Sequence, residues 1–133
     1  MNLNSSSELW EELQDKEYRE GYVEGQFEIE VPFQIRALRR ARGWTQADLA
    51  KNSGIPESQI AELEDPDSDP PSVQILHKLC AAFDVGLLVQ FVSFSELVRR
   101  ESEFDPETFN VVSFSDDNID AEPQTAAIST MVP

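Results

Sequence analysis

Apolar side chains recur at helical spacing through most of the chain and crowd into one continuous run near residue 90. Ser5 to Glu8 reads as a capping box, and Leu9, Trp10 and Leu13 follow on one helical face. A second helix is predicted from Asp15 or Lys16 to about Glu28, with Tyr18, Tyr22 and Val23 to one side. Gly21 and Gly25 fall inside it, each costing ~1 kcal/mol against alanine. Their spacing puts both on one face, which suits either a close helix–helix contact or a marginal helix that breaks there. Pro32 fits the first turn of the next helix, where its missing N–H does no harm. That helix, Phe33 to Arg42, turns Phe33, Ile35 and Leu38 inward and ends at Gly43.

Thr45 then caps a short helix reaching Asn52 or Ser53, Gly54 makes a turn, and Pro56 opens a helix to about Glu64. The run Asp65-Pro-Asp-Ser-Asp-Pro-Pro71 breaks the pattern. Ser72 caps a further helix to Phe83 with Val73, Leu76, Leu79, Cys80 and Phe83 as its apolar stripe. Residues 86–94 are nearly all apolar and rich in β-formers, which predicts a strand. A lone strand leaves its backbone groups unpaired, so it must pair either with the same strand of a second copy across a two-fold axis or with Asn110–Phe114. A short helix, Ser95 to about Arg100, follows. The expected architecture is all-α: a five-helix core with an N-terminal helical extension and a C-terminal β-strand that pairs in a dimer. The expected divisions are 1–30 (extension), 31–85 (core domain), 86–100 (dimerisation) and 101–133 (acidic, largely disordered tail).

Charge changes this picture more than size does. The net charge of the 133 residues is −16, which opposes binding to a polyanion. It is unevenly spread: residues 33–63 carry net +2, against −7 before them and −3 and −8 in the two stretches after. Residues 101–133 hold eight acids, no bases and three prolines, a composition that predicts disorder. Phe104, Phe109 and Phe114 interrupt that tail, as either a docking segment for a partner or a segment folding back on the domain. Neither a membrane-spanning run nor a secretory signal is legible, and the single cysteine excludes an internal disulfide, so a cytoplasmic protein is expected.

The electropositive segment holds the most specific pattern. Thr45-Gln-Ala-Asp-Leu-Ala-Lys-Asn-Ser-Gly-Ile-Pro-Glu-Ser-Gln-Ile-Ala-Glu-Leu-Glu64 resembles the helix-turn-helix of the Cro/lambda-repressor (XRE) family, over about residues 33–85. The block from Lys16 to Val98 is also similar to an XRE subgroup with an N-terminal helix and a strand after the fifth helix. Ala50 is small where two helices cross, Gly54 supplies a positive φ, and Leu49, Ile55, Ile60 and Leu63 face the core.

The resemblance implies a recognition helix at 56–64 that lies in the major groove of double-stranded operator DNA, with Glu57, Ser58, Gln59 and Glu62 toward the bases. It implies Gln46 on a phosphate, at a helix start with free amides. Arg36, Arg39, Arg40 and Lys51 are candidates for the DNA backbone. The expected function is a dimeric, sequence-specific transcriptional regulator acting as a repressor. The chain departs from the family pattern at Glu57 and Glu62, where relatives usually carry Gln, Arg, Ser or Thr, and in the acids of 64–69.

That departure motivates the rival reading: an antitoxin, or an acidic module that keeps the fold but binds a protein partner, through the acidic tail among other surfaces. A third reading has the tail cover Arg36–Arg42. His77 and Cys80 share a helix face, but two ligands make no metal site, and Cys80 lies in the apolar stripe. No phosphate loop, nucleophile–histidine pair or apolar carboxylate pair is present, so neither an enzyme nor a cofactor is expected. Trp10 and Trp44 are expected in the core or at an interface.

Overall fold

The structure is a computed structural model that describes residues 3–122. Six α-helices follow in order: α1 (Leu3–Glu12), α2 (Lys16–Ala41), α3 (Gln46–Ser53), α4 (Glu57–Leu63), α5 (Val73–Phe83) and α6 (Phe94–Glu103), with a 3₁₀ turn at Phe114–Asp116. The helix α1 begins ahead of the expected Ser5 cap, whose side chain lies outside those described. Asp15 caps α2, and the Arg19 guanidinium donates to the carbonyls of Leu13 (2.7 Å) and Gln14 (3.1 Å), closing the turn between the first two helices.

The two helices expected on either side of Pro32 are a single one. Pro32 is buried inside α2 rather than at a first turn. An interior proline removes one backbone hydrogen bond and costs about 3 kcal/mol in isolation. The helix nevertheless continues because Val31, just before the proline, packs on the same core as Ile35 and Leu38 beyond it. A Cβ at Gly21 or Gly25 would meet nothing, so no close helix contact among the described residues uses them, and α2 is not broken there.

The core is formed by Ile35 and Leu38 from α2, Leu49 from α3, Ile60 and Leu63 from α4, Leu79 and Phe83 from α5, and Ile55 from the turn. Trp44 stacks on Phe83 with ring centroids 5.8 Å apart, as expected of a core tryptophan, whereas Trp10 is exposed. In α5, Leu79 and Phe83 are buried, but the outer end of the expected stripe, Val73, faces solvent. Ser72 caps this helix by accepting from the Ile75 amide (3.2 Å).

The expected strand at 86–94 is overturned: no strand exists among the described residues. Residues 86–92 run extended between α5 and α6 with Leu88 78% and Val89 84% exposed and Phe91 fully so. High β-propensity cannot make a strand without a neighbour to take its amides and carbonyls. The candidate neighbour, Asn110–Phe114, lies instead along the end of α5, where the Phe114 amide donates to Asp84 O (2.9 Å). The all-α core stands without the β-ribbon.

The first part of the acidic tail is joined to the rest of the fold. Residues 101–103 complete α6, and Phe109 and Val111 pack against the core, so the fold-back reading describes them. Phe104 meets Phe109 at 5.4 Å, while Phe114 is exposed. Residues 123–133 of the tail lie outside the described residues.

Candidate nucleic-acid interface

Two helices and a glycine turn build the site. Thr45 and Asp48 form a reciprocal capping box at the start of α3: Asp48 N–H donates to Thr45 Oγ1 (3.1 Å) and Thr45 N–H to Asp48 Oδ2 (2.8 Å). Gly54 ends α3 at φ 75°, its amide bonded to Ala50 O (2.9 Å). Only glycine takes that left-handed conformation without a Cβ penalty. Ile55 is then buried, Pro56 caps α4, and Ile60 and Leu63 fix the inner face of α4. The hydrophobic seam anticipated for Leu49, Ile55, Ile60 and Leu63 is therefore the seam that forms.

Burying Ile60 and Leu63 turns the remainder of α4 outward. Glu57, Ser58 and Glu62 are exposed on one short helix, as its groove-facing assignment requires. Gln59 is half-buried and, with Glu62, lines an open groove of about 540 Å³ whose far wall includes Asp67, Ser68 and Asp69.

The backbone-contact candidates divide into two groups. Arg36 is half-buried, Arg40 and Lys51 are exposed, and neither the Arg36 nor the Arg40 side chain has a hydrogen-bond or ion-pair partner among the described residues. Arg39 is committed elsewhere. Its Nε and Nη2 grip the Glu64 carboxylate at 2.6 and 2.9 Å, and Nη1 donates to Trp44 O (2.9 Å). The two side chains are only 12% and 5% exposed, and the Glu64 hydrogen bond holds the Arg39 pKa above its ordinary value. Glu64 was legible as the end of the helix opened by Pro56 and as one of the acids of 64–69. It is the C-cap of α4, and also the partner of an arginine 25 residues upstream, a pairing that sequence spacing does not disclose.

The Gln46 side-chain amide donates to the same carboxylate, at Glu64 Oε1 (3.3 Å). The start of α3 is not an empty anion site either. The Asp48 carboxylate sits there, its pKa lowered by hydrogen bonds from Thr45. A negative charge at a helix N-terminus satisfies the dipole that would otherwise attract a phosphate.

Away from this face, Glu96 is buried in α6 and pairs with Arg99 and with Arg100 (2.7 Å). The Tyr22 hydroxyl donates to Glu101, joining α2 to α6. Beside them Glu30 is pushed up to about 7, by burial first and the Glu101 charge second. Burial likewise raises the half-buried Cys80 thiol, and among the described residues no group of three or more His, Cys, Asp or Glu could hold a metal. No helix of the structure is long and apolar enough to cross a membrane.

A capped helix, a left-handed glycine turn and a second helix pinned through Ile60 and Leu63 define a helix-turn-helix protein. Residues 35–89 match the family model described as helix-turn-helix, and this segment is a helix-turn-helix domain of the Cro/lambda-repressor (XRE) type. That family is one of DNA-binding regulators and not an enzyme family. Comparison with curated proteins and with solved structures gives no match.

Proposed function

We propose that this protein is a sequence-reading transcriptional regulator, a repressor that binds operator DNA as a homodimer in the cytoplasm. The observation that carries the reading is the outward face of α4, where Glu57, Ser58 and Glu62 stand free of the core beside Gln59. Ser58 and Gln59 have the chemistry to read base edges, Gln59 with a bidentate fit to adenine. Glu57 and Glu62 accept from cytosine N4. Arg36, Arg40 and Lys51 supply the cations for the DNA backbone. Arg39 takes no such part while it holds Glu64, and Gln46 reaches a phosphate only by leaving Glu64.

The dimer is supported by the exposed apolar residues Leu88, Val89 and Phe91, a surface that a second copy would cover. Random-oligonucleotide selection with the full chain at low salt should enrich a two-fold-related motif. A pool that stays random after several rounds would refute sequence-specific reading.

A second reading, in which the fold serves protein binding as an antitoxin or an acidic module, is favoured by one specific feature. Asp48, Glu57 and Glu62 present carboxylates on the helix-turn-helix pair, where a phosphate-binding surface needs cations. Pull-down at moderate salt separates the two readings. A basic protein retained by the wild type and lost on Glu57→Lys with Glu62→Lys supports protein binding, and an empty eluate rejects it.

A further inference from the structure

Arg42, at the C-cap of α2, reaches the end of α5. Its Nη2 is shared among Phe83 O (3.0 Å), Val111 O (3.0 Å) and Ser113 Oγ (2.9 Å), and Nη1 donates to Leu38 O (3.2 Å). The guanidinium carbon stands 5.1 Å from the Phe83 ring centroid. The returning chain is also tied directly to α5: Ser113 Oγ donates to Phe83 O and the Phe114 amide to Asp84 O, both at 2.9 Å. Phe109 and Val111 seat apolar side chains on the same core. Two of the acceptors that satisfy this partly buried cation therefore come from residues 109–114, beyond the 35–89 segment that the family model matches.

The contacts continue to the recognition helix without a gap. Phe83 carries Trp44 on its ring, Trp44 O accepts from Arg39, and Arg39 grips Glu64 at the C-cap of α4. We propose that residues 109–114 form a strap and that Arg42 is a positioning residue, the latch through which the strap fixes the placement of α4. The folded reading unit then extends to Phe114. Of the arginines at 36–42 the strap binds Arg42, and among the described residues no hydrogen bond or ion pair joins residues 104–122 to the side chains of Arg36 or Arg40. Calling α4 the reader rests on the function proposed above, whereas its placement is measurable on the free protein.

Two neighbouring residues provide a matched test in the full chain. Val111 packs on the core, while Val112 is 45% exposed, so Val111→Asp and Val112→Asp add the same charge and only the first should lift the strap. The readouts are the NMR shifts of the Arg39 Nε–H and the α4 amides, with the hydrogen-exchange rate of that Nε–H. Val111→Asp should move these signals and speed the exchange about tenfold or more, while Val112→Asp leaves both as in the wild type. Arg42→Lys, which keeps the charge but not the fork of donors, gives the same reading should Val111→Asp fail to fold. A folded Val111→Asp or Arg42→Lys protein whose Arg39 and α4 signals coincide with the wild type overturns the proposal. Neither outcome depends on DNA, so loss of the regulatory reading and loss of the strap are told apart.

Discussion

Glu64 joins three parts of the molecule: the end of α4, the last turn of α2 through Arg39, and the first residue of α3 through Gln46. Removing one member of a buried ion pair leaves the other charge uncompensated, at a cost of about 3–5 kcal/mol. Glu64→Gln keeps the shape and one acceptor and should lower stability by about 2–3 kcal/mol, somewhat less than that range. Urea denaturation measures it, and a change under about 0.5 kcal/mol, the scale of ordinary surface substitutions, would show the pair to be idle. A second residue sets a pH dependence. Glu30 in the folded protein titrates near 7 instead of its ordinary 4.5, so the native state holds the proton more tightly than the unfolded chain. Its contribution is then greatest below about 4.5 and declines as pH rises toward 7. The groups facing it are Glu101 on α6 and Tyr22 on its own helix. Thermal melts of Glu30→Gln and wild type should diverge over that interval, the wild type losing ground as pH rises; parallel curves would contradict the assignment.

Among the elements, α2 is where local signals and tertiary packing disagree. Gly21, Gly25 and Pro32 all argue against a continuous helix, yet α2 runs through them because its C-terminal half is anchored by Ile35 and Leu38. Since a methyl group at either glycine meets open space, Gly21→Ala and Gly25→Ala should each stabilise the protein by about 0.5–1 kcal/mol. Differential scanning calorimetry would register the gain, and a loss would mean that the glycines have a close neighbour after all. The short helices α3 and α4 were legible to within a residue because Thr45, Gly54 and Pro56 act through local stereochemistry. The run 86–94 misled for the opposite reason. Apolar β-formers report a preference, but strand formation depends on a partner that the sequence does not identify. Phe109 and Val111 were hidden among acids and a proline, a composition in which disorder outweighs two apolar contacts. Of the candidate interface, the outward residues of α4 followed from the apolar positions that bury its other face. The capture of Arg39, Arg42 and Gln46 did not, since each depends on a partner brought near only by folding.

For the whole molecule, the question is how a chain of net charge −16 approaches a polyanion. Few free cations remain on the helix-turn-helix side once Arg39 and Arg42 are committed internally, so association should depend on salt with a shallow slope, roughly one unit per phosphate neutralised. A dimer doubles the few contacts available and reads two half-sites. If the exposed 88–91 surface joins two copies, Phe91→Asp should shift the protein to monomer in sedimentation velocity and weaken operator binding together; an unchanged mass would place the subunit contact elsewhere. The central claim, that the outer edge of α4 reads bases, is tested most directly by fluorescence anisotropy of the selected duplex and its single-base variants with wild type and Gln59→Ala. Loss of one bidentate contact is worth about 1–3 kcal/mol. Discrimination at one position of each half-site should therefore collapse by about tenfold or more while the other positions keep theirs. Equal weakening at every position, or none at any, would contradict base reading by this helix.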